Sequence, residues 1–299
     1  MSTKPELSIV IVNFNTKAVT LACLKSLYQY TDGVNFEVIV VDNASTDGSV
    51  EVLSGFGEKQ TNFKLIRSKE NRGFGVGNNL GAKEAKGKYL LFLNSDTLLT
   101  ENNLPYCIQQ MQNDPDIGVY SCNLVNKDGS HQPSGGFFPN LKNLFAWQLF
   151  LDDLPLVTKL FQSIHPHSLE SSPDWVTGAF MIIPAKLYQK AGGFDENIFM
   201  YAEELELCYR IKKLGKRAVL DSHTSLIHLG GASGGSDLAI TGEIKGMLYF
   251  FGKHKPNWQF PFVKLIFWIG SLLRYVIFGI IMANATARQS YRQVLGLVS

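Results

Sequence analysis

The sequence predicts an α/β protein whose sheet is mostly parallel and doubly wound. Apolar runs in the first third of the chain are rich in valine, isoleucine and leucine, which is typical of strands buried on both faces. Helical patterns separate these runs, and strands that alternate with helices form right-handed crossovers. Polar side chains follow directly where several of the runs end. Open sheets of this kind bind ligands beyond the carboxyl ends of their strands, so we expect a site there.

The elements of this first part alternate in a regular way. Strands are predicted at Leu7–Val12, Glu37–Val41, Phe63–Ile66 and Tyr89–Leu93. The helix after the first strand starts at Thr16, and the next one starts at Ser49 after a loop rich in helix-capping residues. A third helix opens from the glycine-rich loop Asn71–Asn79 and ends near Ala85. This alternation of strands and helices predicts βαβ units.

The pattern loosens over residues 134–172, where glycine and proline interrupt short amphipathic pieces. This stretch is either a lid or insertion that faces the site, or a surface excursion with no role in the site. Regular elements return afterwards. We predict strands and helices at Ala179–Ile183, Ala185–Ala191, Glu203–Leu214, Ala218–Leu220 and Ser225–Leu229. On the helix that starts at Glu203, we predict that Glu206 and Arg210 form a surface ion pair four residues apart.

Composition limits the class of protein. The 299 residues suffice for one large domain with an appendage or for two domains, and we predict a domain at 1–235 and a helical segment at 236–299. A net charge of +2 and the lack of long like-charge runs argue against a nucleic-acid partner. The four cysteines lack metal-type spacing and lie in apolar segments, which predicts buried reduced thiols. No signal-peptide pattern precedes the first strand, so we expect the chain on the cytosolic side.

The segment 260–283 is apolar and aromatic but carries Lys264 and Arg274. The uncharged stretches on either side of Arg274 are each too short to span a bilayer. An arginine near the centre of a span would also cost about 2.5–3.5 kcal/mol on insertion scales. We therefore predict a helix that lies on the membrane surface. A soluble core helix, a helix that pairs two copies into a homodimer, and a true membrane span are the alternatives.

Several oxygen-bearing side chains and one histidine follow the predicted strands. They are Asp42, Asn94, Asp96, Glu203, Glu204 and His228. Collected at one edge of a sheet, they predict a site for a metal and an anionic ligand. Asp42 could instead cap a helix, and His228 could be a structural histidine. The glycines of the Asn71–Asn79 loop superficially suggest a dinucleotide fingerprint, but their spacing is wrong for one and the loop does not follow the first strand.

The motifs in order resemble the family 2 glycosyltransferases, which are inverting enzymes with the GT-A fold, and among them the bacterial rhamnosyltransferases of surface polysaccharides. The resemblance covers about Leu7 to Gly231. It is carried by the segments Ser8–Asn15, Val41–Ser49, Asn71–Phe74, Leu93–Thr97, Gly178–Phe180, Gly192–Asp195, Tyr201–Leu207 and His228–Gly231. Asn94 stands where the family's Asp-x-Asp motif has its first aspartate, and Glu204 stands where the family has an aspartate.

The resemblance implies a role for each motif. The donor nucleotide would be bound by Asn13, Asn15, Asp42, Asn71, Gly73, Phe74, Asn78, Asn94 and Ser95. Asp96 and His228 would hold a divalent metal, Mn²⁺ or Mg²⁺. Glu204 would be the general base, with Glu203 beside it. The acceptor would be bound by Trp175, Gly178, Ala179 and Asp195, although Trp175 could equally be a core residue and Asp195 a turn former.

The implied reaction moves a sugar from dTDP-rhamnose or a UDP-sugar to a lipid-linked glycan, at the cytoplasmic face of the inner membrane. Two rival functions stay open. A sugar nucleotidyltransferase is expected to have a glycine-rich basic loop after its first strand, whereas this chain has Asn13-Phe14-Asn15-Thr16 there. A catalytically silent member of the same fold, acting as a membrane-bound assembly partner, would bind nucleotide without turnover.

Overall fold

In the computed structural model, the described residues are 4–151, 164, 173–230 and 236–299. The glycines after Gly230 and most of the 134–172 stretch beyond Leu151 therefore lie outside the described residues. Contacts divide the chain into two compact units. The first comprises Met1–Gly135, His167–Phe199 and Glu204–Ser233, and the second comprises Gly136–Pro166, Met200–Glu203 and Gly234–Ser299. The predicted domain boundary after residue 235 stays a prediction.

The first unit opens with four parallel strands joined by helices, as the sequence predicts. The strands are β1 Leu7–Asn13, β2 Phe36–Asp42, β3 Phe63–Arg67 and β4 Tyr89–Asn94. The helices are α1 Lys17–Tyr30, α2 Ser49–Gly57 and α3 Phe74–Glu84. The strands lie in the order β3-β2-β1-β4, and β1 is buried over nearly its whole length. Burial on both faces explains why β1, β2 and β4 are continuous apolar runs, whereas β3 is only partly buried and contains Lys64.

The elements that follow are less regular, and most of their strands extend the same sheet. The elements are β5 Thr97–Leu98, α4 Leu104–Asn113, β6 Ile117–Val125, β7 His131–Gln132, β8 Gly135–Gly136, β9 Trp175–Val176, β10 Phe180–Pro184, α6 Ala185–Ala191, α7 Glu203–Lys213 and β11 Arg217–His228, with α5 Leu141–Gln148 between β8 and β9. The main sheet runs β3-β2-β1-β4-β10-β6-β11-β5 with β7 paired to β6, and β8 and β9 form a separate two-stranded sheet. β10 is antiparallel to β4 and β6, so the sheet is mixed but mostly parallel.

Two features of this half differ from the sequence prediction. Strand β6 was not predicted, because Ser121 and Asn123 interrupt its apolar run. The structure satisfies the buried Ser121 hydroxyl, which donates to Phe180 O at 2.7 Å, so a polar residue fits inside the sheet. The two short strands predicted at Ala218–Leu220 and Ser225–Leu229 form one strand, β11, whose register is irregular between Asp221 and Ser225.

The four cysteines are free and buried, as predicted from their apolar surroundings. Burial raises the pKa of Cys23, Cys107 and Cys208 to about 12. The thiols are therefore neutral at physiological pH and behave as small apolar core residues.

The second unit is helical. Besides α5 it contains α8 Ser236–His254, a 3₁₀ turn at Asn257–Gln259, α9 Phe260–Arg274, a π-helical continuation at Tyr275–Ile281 and α10 Ala285–Val298. Within the described chain, one helical stretch, Asn257–Ile281, is long and apolar enough to cross a membrane. In its apolar 18-residue window, 28% of the residues are buried, and large apolar side chains such as Phe262, Leu265 and Trp268 are exposed.

The charge in the middle of this stretch is turned away from its exposed face. The Arg274 guanidinium is buried, and it donates to the backbone carbonyls of Trp147, at 2.8 Å, and Gln148. It also lies over the Phe150 ring, 4.2 Å from its centroid. The sequence argument against deep insertion treats Arg274 as a charge facing lipid, whereas the structure pairs it inside the helical unit.

Candidate active site

The carboxyl ends of three neighbouring strands meet at one edge of the sheet. In the parallel ladders, Asn13 of β1 stands beside Asp42 of β2, and Val12 of β1 stands beside Asn94 of β4. Parallel strands place their carboxyl ends together, and the polar residues that follow them come together as a result. This juxtaposition is what the sequence predicted.

Asp42 is held in place by a buried hydrogen-bond network. Asn13 Nδ2 donates to Asp42 Oδ2 at 2.6 Å and to Ser45 Oγ at 3.0 Å. The Ser45 N–H donates to Asp42 Oδ1 at 2.9 Å. On its other side, Asn13 Oδ1 accepts from the hydroxyls of Thr16 and Thr20, at 2.9 and 2.7 Å. Asn13 is 0% exposed, so the structure places it as a support for Asp42 and its loop.

Beside Asp42 lies an open cavity of about 560 Å³. It is lined by Asp42, Ala44, Ser45, Thr46, Gly48, Val50, Glu51, Arg67 and Ser68. Arg67 ends β3 and is the register partner of Asp42, and Asp42 O accepts from the Ser68 N–H at 2.8 Å. Sequence reasoning missed Arg67 and Ser68. The rule that selected Asp42 could have found them, because they directly follow the apolar run Phe63–Ile66.

Two further residues assigned to the nucleotide shape this edge. Asn15 has a left-handed backbone (φ 53°), and its Oδ1 accepts from the Thr46 N–H at 2.8 Å. This bond joins the loop after β1 to the loop that lines the cavity. Ser95 is buried, and its hydroxyl lies 3.4 Å from the Thr16 hydroxyl.

The loop before α3 is held by the side chains of Asn71, within the loop, and of Asn43, which follows β2. Asn71 Oδ1 accepts from the Gly73 N–H at 3.0 Å, and Asn43 Nδ2 donates to Gly73 O at 3.0 Å. Gly73 has φ +96°, and a Cβ there would lie 2.0 Å from Phe199 O. The Phe74 N–H donates to that same carbonyl at 3.0 Å. The close approach that the glycine permits is thus to the Phe199 backbone.

Asn78 also faces its own helix: its side chain is buried, and Nδ2 donates to Phe74 O at 3.1 Å. The structure therefore places Asn78 within α3, where it bonds the first turn of the helix. Its predicted contact with the donor nucleotide stays a prediction.

Asp96 and His228 come together although 132 positions separate them in the sequence. β5 pairs with the end of β11, placing Thr97 beside His228, and the Leu229 N–H donates to Asp96 O at 2.8 Å. His228 Nε2 lies 3.3 Å from Asp96 Oδ1 and 3.4 Å from Asn94 Nδ2. The predicted metal residues are therefore adjacent, with Asn94 at their side.

Gln132, which the sequence did not single out, orients the imidazole. Its Nε2 donates to His228 O at 2.8 Å, and its Oε1 lies 2.9 Å from His228 Nδ1. Nδ1 then carries the hydrogen, and the Nε2 lone pair faces Asp96 Oδ1. The Asp96 carboxylate oxygen and the His228 Nε2 lone pair are both acceptors, so a proton or a cation must lie between them to hold them this close. The pair therefore fits a divalent metal. Among the described residues, no group of three or more His, Cys, Asp or Glu side chains could hold a metal ion.

The two glutamates assigned to catalysis start α7. Glu203 is buried, Glu204 is half-buried with its Oε2 atom covered, and Tyr201 and Ala202 before them both have positive φ. The sequence predicted a surface ion pair between Glu206 and Arg210. The pair forms, but the prediction of its surface location is wrong. Glu206 is 0% exposed, and Arg210 Nε donates to both of its oxygens, at 3.0 and 2.8 Å.

The burial of this pair has a physical reason, because Arg210 also donates to the backbone carbonyl of Ala191 at the end of α6. The ion pair thus joins two helices, and its charges are satisfied inside the protein. A sequence shows only the spacing of four residues, which is the same for an exposed and a buried pair.

The residues assigned to the acceptor lie in packed positions. Trp175 and Ala179 are buried, and Ala179 O accepts from the Asn94 N–H at 3.1 Å. A Cβ on Gly178 would lie 3.0 Å from the Phe74 ring. Asp195 Oδ1 accepts from the Asn197 N–H at 3.0 Å, which closes a turn. Their contact with an acceptor stays a prediction.

Comparison with known proteins identifies the family. The family profile described as Glycosyl transferase family 2 matches residues 8–168. The chain is 29% identical over 240 residues to the O-antigen biosynthesis protein RfbC of Myxococcus xanthus, a match that covers 78% of this chain and 18% of that protein. It is 24% identical over 281 residues to the N-acetylglucosaminyl-diphospho-decaprenol L-rhamnosyltransferase of Mycobacterium tuberculosis, covering 87% of this chain and 88% of that protein.

Among solved structures, the mannosyltransferase PcManGT of Pyrobaculum calidifontis, in complex with GDP-Man and Mn²⁺, has a TM-score of 0.62 at 17% identity, covering 99% of this chain and 85% of that one. At this identity the likeness concerns the fold. The chain spans less than two thirds of the length of the first curated relatives it matches, from 18% to 66% among the first three. The chain therefore belongs to glycosyl transferase family 2 and has the GT-A fold.

Proposed function

We propose that the protein is an inverting glycosyltransferase that moves rhamnose from dTDP-rhamnose to a lipid-linked glycan in cell-surface polysaccharide synthesis. One observation carries the proposal: within one unit of a family 2 chain, the Asp42 cavity and the Asp96–His228 pair stand where neighbouring strands end. The names of the two relatives support the finer choice. One is a rhamnosyltransferase acting on a diphospho-decaprenol sugar, and the other is an O-antigen biosynthesis protein.

The cavity beside Asp42 is proposed to bind the donor nucleotide, a dTDP- or UDP-sugar. The Asp42 carboxylate can accept hydrogen bonds from a pyrimidine base or a ribose hydroxyl, and Arg67 offers donors at the same end of the neighbouring strand. Asn13 and Asn15 act indirectly, since they hold Asp42 and the Thr46 loop in place. Pre-formed polar groups of this kind orient a ligand without further ordering.

Asp96 Oδ1 and His228 Nε2 are proposed to hold Mn²⁺ or Mg²⁺, with Gln132 fixing the imidazole. A bound divalent ion supplies positive charge at the diphosphate that leaves. Glu204 is proposed to take the proton of an acceptor hydroxyl as its oxygen attacks the anomeric carbon from the side opposite the diphosphate. A general base of this kind contributes about 10²–10⁴-fold in rate.

Calorimetry of the purified protein with dTDP, UDP and GDP, with and without Mn²⁺, tests the site. We expect one pyrimidine diphosphate to bind in a metal-dependent manner and Asp96→Asn to lose this binding. Asp116→Asn is the matched control, because Asp116 is exposed and pairs only at the surface with Lys216, at 3.2 Å. Glu204→Gln should keep nucleotide binding and lose transfer. Binding without any turnover in the wild type would favour the silent assembly partner instead.

We also propose that α9 and its continuation attach the enzyme to the cytoplasmic face of the plasma membrane. The exposed apolar side chains of this stretch include Trp258, Phe262, Leu265, Trp268, Ile269, Leu272, Ile280 and Ile281. From residue 256 to the end of the sequence there is no Asp or Glu, whereas Lys264, Arg288 and Arg292 are basic, and the Arg274 charge is buried. An apolar face with cationic flanks suits an anionic lipid surface.

Vesicle flotation tests this attachment. The wild type should float with vesicles that contain phosphatidylglycerol and bind less to pure phosphatidylcholine. The double variant Leu265→Gln/Trp268→Gln should remain unbound, because it removes two large exposed apolar groups from α9. Leu80→Gln, an exposed leucine on α3, is the matched control. Equal flotation of the double variant and the wild type contradicts the assignment of this face.

A further inference from the structure

The backbone that leads into the proposed catalytic glutamates is strained. Tyr201 and Ala202 have φ values of 72° and 73°, in the left-handed region that side chains with a Cβ rarely adopt. Glu203 and Glu204 follow immediately and start α7. Two consecutive left-handed residues persist only where the surrounding structure holds them, and such strain clusters at functional sites. Something must therefore hold this turn.

Helix α8 lies directly against the turn through two glycines one helical turn apart. A Cβ on Gly246 would lie 2.5 Å from Tyr201 O and 2.7 Å from Ala202 Cβ. A Cβ on Gly242 would lie 2.8 Å from the Tyr201 ring and 3.1 Å from Met200 O. Positions i and i+4 share one face of a helix. The backbone of α8 thus touches Met200–Ala202 where any other residue would push it away.

These glycines are costly for a helix, since glycine inside a helix loses more conformational freedom than alanine. Gly252, in the same helix, shows the contrast: a Cβ there would meet only the Phe260 ring, at 3.6 and 4.0 Å. Ordinary packing space therefore exists elsewhere on α8. At Gly246 the Tyr201 carbonyl leaves no room for a Cβ, and at Gly242 the Tyr201 ring and Met200 O leave little.

We propose that Gly242 and Gly246 are positioning residues: they form a seat on α8 that holds Tyr201–Ala202 left-handed and thereby directs Glu204 toward the acceptor hydroxyl. The inference rests on the proposed function, in which Glu204 is the general base. A base acts only within hydrogen-bond reach of the proton it removes. Because Ala202 is two residues before Glu204, a rotation at Ala202 moves the start of α7, and a misplacement of about 1 Å can cost about 10²-fold in rate.

Gly246→Ala tests the seat, and Gly252→Ala is the matched control for the higher helix propensity of alanine. We expect Gly246→Ala to bind the nucleotide with unchanged affinity and to keep its donor KM, but to lose about 10- to 100-fold in kcat. Gly252→Ala should keep wild-type kcat. Adding Ala202→Gly to Gly246→Ala should restore part of kcat, because it removes one colliding Cβ and tolerates the positive φ.

If Gly246→Ala does not fold, Gly242→Ala replaces it, since its Cβ meets mainly the movable edge of the Tyr201 ring. A smaller loss of kcat, about three- to tenfold, is then expected. A folded Gly246→Ala or Gly242→Ala variant with wild-type kcat, measured beside an inactive Glu204→Gln, contradicts the positioning role of the two glycines. The assignment of Glu204 as the base then stands. If Glu204→Gln itself keeps wild-type kcat, the proposed base is wrong and the inference falls with it.

Discussion

Replacing Asn13 by alanine tests the network that holds Asp42 at the donor cavity. The wild-type side chain makes four buried or part-buried hydrogen bonds: it donates to Asp42 and Ser45, and it accepts from Thr16 and Thr20. Alanine removes all four and leaves a buried carboxylate and two buried hydroxyls without these partners. Such groups are costly to leave unsatisfied inside a protein.

The magnitude follows from the kinds of bond. A neutral hydrogen bond contributes about 0.5–1.5 kcal/mol net, and one to a charged group about 1.5–3 kcal/mol. Three neutral bonds and one to the Asp42 carboxylate sum to roughly 3–7.5 kcal/mol, of which we expect about 4 kcal/mol because the remaining groups can partly re-pair. That is a large part of the usual stability of about 5–15 kcal/mol. Urea unfolding followed by circular dichroism measures it.

Asn13→Asp tests the bond to Asp42 separately from the bonds to the threonines. The aspartate keeps an acceptor oxygen for the hydroxyls of Thr16 and Thr20 but loses the donor to Asp42. It places a second carboxylate where the 2.6 Å bond to Asp42 now lies. Two buried carboxylates at this distance cannot both ionise, so one keeps its proton and its pKa rises above the unfolded value of about 3.9. The variant's deficit relative to the wild type should therefore be largest near pH 8 and shrink as the pH falls toward 4. Equal stability of the variant and the wild type at pH 8 would refute the network.

The remaining predictions concern three other parts of the chain. Arg274→Met should lower the free energy of unfolding by about 3 kcal/mol in urea titrations, since the buried carbonyls of Trp147 and Gln148 lose a charged donor. Gly73→Ala should lower the midpoint of thermal unfolding far more than Gly129→Ala. Both glycines have positive φ, but only at Gly73 would a Cβ collide with a backbone atom, Phe199 O at 2.0 Å. Iodoacetamide at pH 8 should leave the folded protein unmodified and alkylate four cysteines after denaturation. Burial raises the pKa of the Cys122 thiol, and it raises the pKa of Cys23, Cys107 and Cys208 to about 12.

The sequence predicted those parts of the fold whose residues repeat one environment. Strands β1, β2 and β4 are buried on both faces over nearly their whole length, so an unbroken apolar run marks each of them. Strand β6 was not predicted because Ser121 and Asn123 lie within it. Only the structure shows that the Ser121 hydroxyl is satisfied there, by the Phe180 carbonyl. Local pattern reports the average environment of a segment and does not report the partner of one polar atom.

For the candidate site, the sequence by itself determined which chemical groups stand at the ends of the strands, since strand ends follow from periodicity and the carboxylates are read directly. Only the tertiary structure decided which of these groups meet. It brought His228 to Asp96 through the β5–β11 pairing, added Gln132 and Arg67, and turned Arg210 and Arg274 inward. The physical reason is the distance along the sequence between the residues that interact. Apolar burial is encoded by neighbouring residues, whereas contacts between residues more than a hundred positions apart depend on how strands pair and helices pack.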